Sequence, residues 1–487
     1  MSSTAKATNT PENDDKIPLC VDLDGTLIHT DMMHEAIFLL LRRNIFFLFL
    51  LPFWMLKGKA NLKAELAQRV MPNPGTMPFN NDLLEWLKSQ KKAGRELVLA
   101  TGSNEKYAHA IANHLSIFST VEASNGETNL TNVNKANRLV ERFGAGGFDY
   151  AGNDKDDITV WEQARQAIVV GNVPAARRYA NKNNALRFID EFNQSRLKIW
   201  MKAIRIHQWL KNSLLFVPAI LGSKFFEIES AVNLGLAFLA FSFCASAVYL
   251  LNDLIDIESD RHHKTKRNRP IAKGLISVPE AVVTAATLFT ASCALALQLP
   301  PLFFIVLMLY FLATCAYSFF LKKMLLIDVL TLAGLFTVRV IAGAAAMSAP
   351  ASTWLLAFCM FFFLGLALVK RFVEISNHLS QTTRKITGRG YQAADLETLG
   401  QAGLASGFAA VVVLALFIDS PSISQNYTYP ELIWLVCPLV LYLQTRIWIL
   451  ARRGEMNDDP VVFLMTDWRS QIMIALGAAL MLLSQIL

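Results

Sequence analysis

The 487-residue sequence is poor in charged residues and has no paired-cysteine motif. Charged residues make up 17% of the chain, against roughly 25% in soluble globular domains, and hydrophobic residues make up 53%. The six cysteines form no Cys-x-x-Cys pair, and five of them lie in apolar runs, which excludes a disulfide-stabilised scaffold. The apolar content also excludes a disordered chain. A net charge of +7 is too small an excess to indicate nucleic-acid binding.

The apolar residues are concentrated in the second half of the sequence. Residues 1–200 contain most of the Asn, Asp, Glu and Lys, whereas residues 212–487 form a series of apolar runs. Each run is about 20 residues long, the length that an α-helix needs to cross a bilayer. We therefore expect a soluble domain followed by an all-α polytopic membrane domain of nine transmembrane helices. The predicted spans are centred near residues 215, 241, 289, 311, 336, 361, 410, 441 and 478.

The basic residues of the membrane half are distributed asymmetrically. With the N-terminal domain placed in the cytosol, the outward connections hold one basic residue, Lys224, and the inward connections hold sixteen. This distribution follows the positive-inside rule. Residues 1–16 have no apolar core and are not a secretory signal, and we expect them to be disordered. The sequence thus predicts a multi-pass protein of the inner, cytoplasmic membrane whose chemistry faces the cytosol.

A shorter apolar stretch, Ile45–Leu56, lies within the soluble half. Twelve residues that include Pro52 are too few to span a bilayer. We expect residues 36–56 to form a membrane-surface segment, within a helical cap that covers about residues 30–80. The alternative is that this stretch is the buried core of the cap.

Residues 19–27, LCVDLDGTL, have the pattern of a short buried strand that ends in an acidic loop. Two aspartates at the carboxyl end of such a strand, Asp22 and Asp24, would share the crevice where α/β sheets bind ligands. Asp22 could attack phosphorus as a nucleophile, and Asp24 could protonate the leaving oxygen. Both carboxylates would need Mg²⁺ to bring a dianionic phosphate close to them.

This loop resembles the first motif of the haloacid dehalogenase (HAD) superfamily, Asp-x-Asp-Gly-Thr, and three further motifs follow in the expected order. Thr101 matches the hydroxyl that binds the phosphoryl group, and Lys135 matches the basic third motif. Asp157 matches the metal-binding fourth motif, in which Asn153 replaces a usual aspartate. The resemblance covers residues 17–195 and implies an α/β, Rossmann-like phosphatase domain.

A second acidic motif, NDLIDIESD, occupies residues 252–260 at the end of the second predicted span. At 3.6 residues per turn, Asn252, Asp256 and Asp260 fall on one helix face with Asp253 beside them. Carboxylates this close repel one another unless a cation joins them, which favours Mg²⁺ and a polyphosphate. Basic side chains suited to phosphate oxygens follow directly. They are Arg261, Lys264, Lys266, Arg267 and Arg269.

The acidic stretch resembles the first aspartate motif of the UbiA-type membrane prenyltransferases, and nine helices are the architecture of that family. Their second acidic motif is replaced here by a basic loop, in which Glu374 is the first acid and Asp395 the next. One metal-binding face and one cationic face suit a donor and an acceptor that both carry phosphate. With further matches, residues 196–487 resemble the decaprenyl-phosphate phosphoribosyltransferase branch. Those matches are Arg205, Gln208, Trp209, Lys211, Asn212, Tyr317, Lys323, Asp328, Arg339, Gly343, Asp458, Asp459, Asp467 and Ser470.

The resemblance implies transfer of 5-phosphoribosyl from phosphoribosyl pyrophosphate to a polyprenyl phosphate, with Mg²⁺ and release of pyrophosphate. The HAD-like domain would then remove the 5-phosphate. In the transferase, Asp253, Asp256 and Asp260 would be the catalytic, metal-binding acids, and in the phosphatase Asp22, Asp24 and Asp157 would hold the metal. The residues expected to bind substrate are Thr101, Lys135, Lys211, Asn212, Asn252, Lys266, Arg269, Tyr317, Arg339, Lys370, Arg371 and Glu374.

Two other functions stay open at this point. An aromatic prenyltransferase would use prenyl pyrophosphate, and the basic loop after residue 370 argues against it. A transporter would use two charges in the fifth span, Asp328 and Arg339, and the acidic and basic loops clustered on one side argue against it. These two charges either pair with each other or line a cavity, because a lone charge inside a membrane is costly. The architecture is compatible with a homo-oligomer.

Overall fold

The computed structural model of the chain describes residues 17–171, 173–183, 185–188, 195–222, 227–263, 265–379, 390–420, 427–456 and 459–486. Residues 1–16, for which disorder is predicted, lie outside these ranges. The chain forms two compact units. Unit 1 comprises Met1–Ala203 and Asp253–Val283, and unit 2 comprises Ile204–Asn252 and Thr284–Leu487. The domain boundary predicted at residues 195/196 stays a prediction.

Unit 1 contains a six-stranded sheet in the order β3-β2-β1-β4-β5-β6, and every described strand pairing is parallel. Strand β1 lies in the interior of the sheet and is fully buried, as expected for parallel strands that are covered on both faces. The predicted α/β, Rossmann-like architecture is confirmed. The strands are β1 (Leu19–Val21), β2 (Leu97–Asn104), β3 (Thr120–Ser124), β4 (Asp149–Gly152), β5 (Gln166–Val170) and β6 (Leu186–Phe188).

In the described residues, nine α-helices lie between β1 and residue 203. The first three follow β1 directly, in the region for which a helical cap is predicted. Helix α1 starts at an aspartate N-cap, Asp31, whose carboxylate accepts from the backbone amides of Met33 and His34, which satisfies two otherwise unpaired donors. The helices are α1 (Met32–Arg43), α2 (Leu51–Leu56), α3 (Lys59–Arg69), α4 (Asn81–Lys92), α5 (Glu105–Leu115), α6 (Val133–Phe143), α7 (Ile158–Trp161), α8 (Pro174–Asn183) and α9 (Arg196–Ala203).

The apolar stretch of the cap forms a 3-10 helix, Ile45–Phe49, followed by α2. Its side chains are largely exposed, with Phe46 at 71%, Phe49 at 68% and Leu56 at 84%, whereas Trp54 is buried. The alternative of a buried cap core is therefore wrong for most of this stretch. Its location on a membrane surface stays a prediction.

The remaining helices include seven that are long and apolar enough to span a membrane, counted over the described residues. They are α11, α13, α14, α15, α16, α17 and the helical stretch Pro430–Arg452, which ends with α18. The helices are α10 (Val217–Leu221), α11 (Ile228–Ile255), α12 (Ile257–His262), α13 (Val278–Ala296), α14 (Pro301–Phe319), α15 (Ile327–Ala346), α16 (Thr353–Leu379), α17 (Asp395–Ile418), α18 (Val436–Arg452), α19 (Pro460–Thr466) and α20 (Trp468–Ile486).

The prediction of nine spans is not confirmed, because two of the predicted centres lack a helix of the required kind. The chain around residue 215 is a 3-10 helix, Ile206–Phe216, followed by the five-residue α10. Lys211 and Asn212 are buried polar side chains there, and Pro218, which lacks a backbone donor, lies at the start of α10. Around residue 478, α20 is apolar, and its stretch Trp468–Ser484 is counted with the shorter apolar helices over the residues that were described in full.

Candidate functional sites

A polar cavity of about 370 Å³ opens at the carboxyl edge of the sheet in unit 1. Strand β1 delivers Asp22 and Asp24 into it, and β4 delivers Asn153 and Asp157. The two strands are adjacent and parallel, so their carboxyl ends meet at one edge. The structure thus brings the first and fourth HAD-like motifs together as the sequence predicts.

Lys135 joins the acids of this cavity. Its Nζ donates to Asp22 Oδ1 at 2.8 Å and to Asp157 Oδ1 at 3.4 Å, and both ion pairs are buried. The Tyr150 hydroxyl, which the motif comparison missed, lies 2.7 Å from the same Nζ and donates to Asp157 Oδ1 at 2.8 Å. Asp157 Oδ2 accepts from the backbone amide of Asn153 at 2.9 Å. Lys135 therefore neutralises part of the charge that the clustered carboxylates carry.

Asp24 is held by three donors on its other side. Asp24 Oδ1 accepts from the backbone amide of Met32 at 2.8 Å, and Oδ2 accepts from the Ser103 hydroxyl at 2.7 Å. The Thr101 hydroxyl, which we expect to bind a phosphoryl group, is 3.5 Å from Oδ2. Burial raises the pKa of Asp24 to about 6 and that of Asp22 to about 7, although Lys135 opposes the shift at Asp22. The carboxylates are thus poised for proton transfer near neutral pH.

Lys63 of the cap is a cavity residue that the sequence motifs did not reveal. Its Nζ donates to Asn129 Oδ1 at 2.8 Å and to the Gly102 carbonyl, and burial lowers its pKa. Within the described part of the chain, no carboxylate lies within 4.0 Å of this Nζ. A cation that is left to neutral acceptors in a cavity lined by Asp22 and Asp24 is suited to an anionic ligand. No sequence signal marks it, because only the fold brings α3 over the cavity.

The acidic motif of residues 252–260 is interrupted rather than fully helical. Helix α11 ends at Ile255, Asp256 is the N-cap of α12, and α12 carries Asp260. Arg269 Nη1 lies 3.0 Å from Asp253 Oδ1 and 2.7 Å from Asp260 Oδ2. Burial raises the pKa of Asp260 against the effect of Arg269. Two of the three predicted acids therefore converge on a single cationic nitrogen.

The donor sets of both acidic sites fit a magnesium ion. At the acidic motif, a guanidinium nitrogen of Arg269 occupies the point where Asp253 and Asp260 converge. In the HAD-like cavity, the carboxylates of Asp22, Asp24 and Asp157 line one pocket. No group of three or more His, Cys, Asp or Glu side chains in the described ranges is arranged to cage a metal. Mg²⁺ is usually held by one or two carboxylates together with substrate phosphates and water, and its binding at these two sites stays a prediction.

In unit 2, the buried Lys211 forms an ion pair with the half-buried Asp459. Asp459 is also the N-cap of α19, where its Oδ1 accepts from the amides of Val461 and Val462. Burial raises the pKa of Asp459, but Lys211 and Lys370 together hold it below the ordinary value. The ion pair with Asp459 thus positions Lys211, a predicted substrate-binding residue. The two residues are too far apart in sequence for the pair to be predicted.

Arg339 is buried in α15 without a carboxylate partner among the described residues. Its Nε donates to Asn212 Oδ1 at 2.9 Å, and its Nη2 donates to the Tyr310 hydroxyl at 3.0 Å. The guanidinium lies 5.4 Å from the ring of Phe336, and Lys211 Nζ lies 5.8 Å from the same ring. The two cations therefore flank one aromatic side chain. A buried positive charge that is left to neutral acceptors is suited to a phosphate.

Arg371 is paired with protein side chains. Its guanidinium forms ion pairs with Asp328 and Glu374 and donates to the Tyr317 hydroxyl at 3.0 Å. The Tyr391 hydroxyl also donates to Asp328. All three guanidinium nitrogens have protein partners, and substrate binding by Arg371, Tyr317 and Glu374 stays a prediction. Lys370, one residue earlier, has no ion-pair partner within 4.0 Å among the described residues.

The structure also decides between the two interpretations of Asp328 and Arg339. They are eleven residues apart on α15, which corresponds to about 16 Å along the helix axis. No side chains of this length can bridge that gap, and the structure gives each its own partners. The pairing of the two charges is therefore wrong.

The last branch motif, Asp467-x-x-Ser470, is structural. Asp467 accepts from Arg446 in a bidentate pair at 2.7 and 3.1 Å, and from the Ser470 amide at 2.9 Å. The Arg446 pair lowers the pKa of Asp467 to about 2. Several predicted basic or acidic positions lie outside the described residues. They are Lys224, Lys264 and Asp458, together with Arg384, Lys385 and Arg389, which are the later basic residues of the loop after residue 370.

The fold and these sites define a multi-pass α-helical membrane protein with an N-terminal α/β domain that carries HAD-like motifs, and with aspartate and basic clusters suited to phosphates. The profile of the UbiA prenyltransferase family matches residues 215–466. A protein of Sinorhizobium fredii described as uncharacterized is 38% identical over 478 residues, which cover 96% of this chain and 90% of that protein. The chain belongs to the UbiA prenyltransferase family.

Relatives and solved structures were found for parts of the chain. A decaprenyl-phosphate phosphoribosyltransferase of Mycobacterium tuberculosis is 36% identical over 187 residues, which cover 38% of this chain and 61% of that protein. A UbiA homolog from Archaeoglobus fulgidus bound to GPP and Mg²⁺ has a TM-score of 0.45 at 17% identity, covering 58% of this chain and 99% of that one. A HAD family hydrolase from Salmonella enterica has a TM-score of 0.28 at 12% identity, covering 37% of this chain and 73% of that one.

Proposed function

We propose that the protein transfers a 5-phosphoribosyl group from phosphoribosyl pyrophosphate to a polyprenyl phosphate and then removes the 5-phosphate with its HAD-like domain. The observation that carries the proposal is Arg339, a buried cation of the membrane unit without a described carboxylate partner. An acceptor that carries a phosphate would supply the missing negative charge. The similarity to the decaprenyl-phosphate phosphoribosyltransferase supports the same substrate class.

In the transfer step, an oxygen of the lipid phosphate attacks C1 of the ribose while the bond from C1 to the pyrophosphate oxygen breaks. Asp253, Asp256 and Asp260 would hold Mg²⁺, which supplies charge compensation for the departing pyrophosphate at this site. Arg269 releases its two carboxylates and, with the exposed Lys266, binds the leaving phosphates. Arg339, Lys370 and Lys211 of unit 2 are the residues proposed to bind the lipid phosphate, and the pyrophosphate leaves as the product.

In the phosphatase step, Asp22 Oδ attacks the phosphorus of the 5-phosphate, and the ester oxygen leaves with a proton from Asp24. Water then attacks the aspartyl phosphate, loses its proton to Asp24 and releases inorganic phosphate. Asp22, Asp24 and Asp157 would hold the metal of this site, and Thr101, Lys135 and Lys63 would bind the phosphoryl oxygens. Both activities would face the cytosol from the inner membrane, as the distribution of basic residues predicts.

The test uses the full-length protein in detergent with Mg²⁺, phosphoribosyl pyrophosphate carrying label in the ribose, and a short polyprenyl phosphate. Label should enter the organic phase, and the labelled lipid should lose one phosphate with time. Asp24→Asn should accumulate the phosphorylated lipid, and Asp256→Asn should lower transfer by about 100-fold or more because it removes a metal ligand. Full transfer by Asp256→Asn would contradict the assignment of the acidic motif.

The second candidate is an aromatic prenyltransferase, which the family assignment favours. In that case no label would enter the organic phase from phosphoribosyl pyrophosphate. The same preparation would instead consume a prenyl pyrophosphate together with an aromatic acid such as 4-hydroxybenzoate.

A further inference from the structure

The segment 253–283, which begins with the acidic motif, also lies against the HAD-like cavity within unit 1. Ser277 lines the same cavity as Asp24 and His29. Gly274 has a φ of +75°, and a Cβ placed there would lie 2.8 Å from both the Cβ and the carbonyl oxygen of His29. A larger residue would therefore push the segment away from the loop that carries the first HAD-like motif.

A buried ion pair fixes this contact. Arg261 Nη2 lies 2.7 Å from Glu35 Oε1 and Arg261 Nη1 lies 3.3 Å from Glu35 Oε2, with side-chain exposures of 5% and 4%. The Thr30 hydroxyl donates to Glu35 Oε1 at 2.8 Å, and Arg261 Nε donates to the Ala272 carbonyl at 3.0 Å. Each charge is thus paired and hydrogen-bonded, which a buried pair requires.

Glu35 is connected to the HAD-like cavity, and Arg261 is connected to the acidic motif. Glu35 lies in the first turn of α1, whose first residue, Met32, donates its amide to Asp24. Arg261 directly follows Asp260, which shares Arg269 with Asp253. A shift of α12 that accompanies ligand binding at the acidic motif would therefore move Arg261, and through Glu35 the start of α1.

We propose that segment 253–283 completes the phosphatase cavity, and that Glu35 and Arg261 are the positioning residues that hold it there. The proposal rests on the proposed phosphatase function. The same segment contains the acidic motif and lines the HAD-like cavity. Dephosphorylation would therefore directly follow the reaction that releases pyrophosphate at the acidic motif. Coupling follows as a consequence: magnesium pyrophosphate at the acidic motif changes the affinity of the cavity for a phosphomonoester.

The experiment measures hydrolysis of p-nitrophenyl phosphate by the full-length protein in detergent with Mg²⁺. Arg261→Gln should raise KM roughly fivefold or more while kcat changes little, because the catalytic acids are untouched. Arg261→Lys should restore most of the KM, since it keeps the charge opposite Glu35. Magnesium pyrophosphate should shift the KM of the wild type and leave that of Arg261→Gln unchanged.

A matched control exists because a second ion pair joins the same two helices. Arg42 in α1 lies 3.3 Å from Glu258 in α12, with side-chain exposures of 42% and 37%. Exposed pairs contribute little, so Arg42→Gln should keep the wild-type KM and its response to pyrophosphate. Equal effects of Arg42→Gln and Arg261→Gln would overturn the proposal, as would a wild-type KM in both Arg261→Gln and Glu35→Gln.

Two outcomes separate this proposal from the proposed function. A wild type that hydrolyses no phosphomonoester refutes the phosphatase function, and hydrogen exchange then tests the coupling. Magnesium pyrophosphate should slow amide exchange in residues 29–35 of the wild type and not of Arg261→Gln. Identical exchange in the two proteins would overturn the coupling. Should Arg261→Gln fail to fold, Glu35→Gln carries the same comparison.

Discussion

At the scale of the residue, the HAD-like cavity contains two lysines that are held in opposite ways. Lys135 is paired with Asp22 and Asp157, whereas Lys63 donates to a carbonyl and an amide oxygen. The charge of Lys135 is therefore largely consumed by the protein. Lys63 has its charge available for a phosphoryl oxygen.

Replacing Lys63 should consequently weaken substrate binding. We expect Lys63→Gln to raise the KM for p-nitrophenyl phosphate about tenfold, the loss of one charge-assisted hydrogen bond of about 1.5 kcal/mol, with a smaller effect on kcat. Lys59, exposed on the same helix, supplies the control: Lys59→Gln should behave as the wild type. A KM that does not differ between the two variants would remove Lys63 from the site.

The raised pKa values of Asp22 and Asp24 predict competition between protons and Mg²⁺. In the metal-free protein these carboxyls keep their protons up to about pH 7 and about pH 6, and Mg²⁺ must displace them. Their ordinary pKa is 3.8, so the unfolded chain releases the protons earlier, and the stability of the metal-free fold decreases as pH rises from about 4 to 7.

The half-saturating Mg²⁺ concentration for p-nitrophenyl phosphate hydrolysis should therefore be higher at pH 6 than at pH 8. For each proton that Mg²⁺ displaces, this concentration should change by at most about tenfold per pH unit. A series of assays at fixed substrate saturation and varied Mg²⁺ measures it. The same Mg²⁺ requirement at both pH values would show that the carboxyls are already ionised.

At the scale of the element, α15 is packed by a close approach at Gly343. A Cβ at this position would lie 2.0 Å from the Leu215 carbonyl oxygen. The 3-10 helix that contains Leu215 also carries Lys211 and Asn212, and Asn212 contacts Arg339 of α15. The glycine thus lets the polar 3-10 helix lie close enough to deliver its side chains to the buried arginine.

Substituting this glycine should separate the two elements. Gly343→Ala should lower the unfolding temperature in detergent by several degrees, as overpacking typically costs about 1–3 kcal/mol, and should reduce transfer. Gly334 lies on the same helix, and a Cβ added there would meet no described atom within 4 Å outside its own helix backbone, so Gly334→Ala should be neutral or slightly stabilising. Equal unfolding temperatures for both variants would refute the close packing.

At the scale of the whole molecule, one protein combines membrane-spanning helices with an exposed apolar patch on its HAD-like domain. The patch consists of the exposed side chains of residues 46–56, and basic residues flank it at Arg42, Arg43 and Lys57. Such a patch is costly in water, and its basic flanks suit an anionic lipid surface. If the proposed phosphatase function holds, we expect the patch to bring the HAD-like cavity to lipid-linked substrates.

The double variant Phe49→Glu and Leu56→Glu should slow dephosphorylation of the lipid-linked product in vesicles about tenfold, because buried apolar area provides the membrane affinity. Hydrolysis of soluble p-nitrophenyl phosphate should not change. Met71→Glu, at a residue that is also exposed, is the control and should leave both rates intact. A double variant with wild-type activity on the lipid would mean that the patch has another role.

Much of the fold and the HAD-like site could be predicted because the informative patterns are local. Asp22, Asp24, Lys135 and Asp157 each lie in a recognisable motif, and parallel strands bring their ends to one edge. Lys63 and Tyr150 could not be found in this way. Lys63 reaches the cavity from the cap, and Tyr150 reaches it because β4 lies next to β1 in the sheet. The residues next to each of them in the sequence do not indicate this placement.

The sequence alone determined the positions of the apolar runs, the basic inward loops and the four HAD-like motifs. Each of these features depends on residues that are close together in the chain. The tertiary structure decided which charges pair. It gave Arg371 to Asp328, left Arg339 with neutral acceptors, and joined Arg261 to Glu35 across 226 positions. The reason is physical: a buried charge is stabilised by whatever partner the packing supplies, and packing brings together residues that are far apart in sequence.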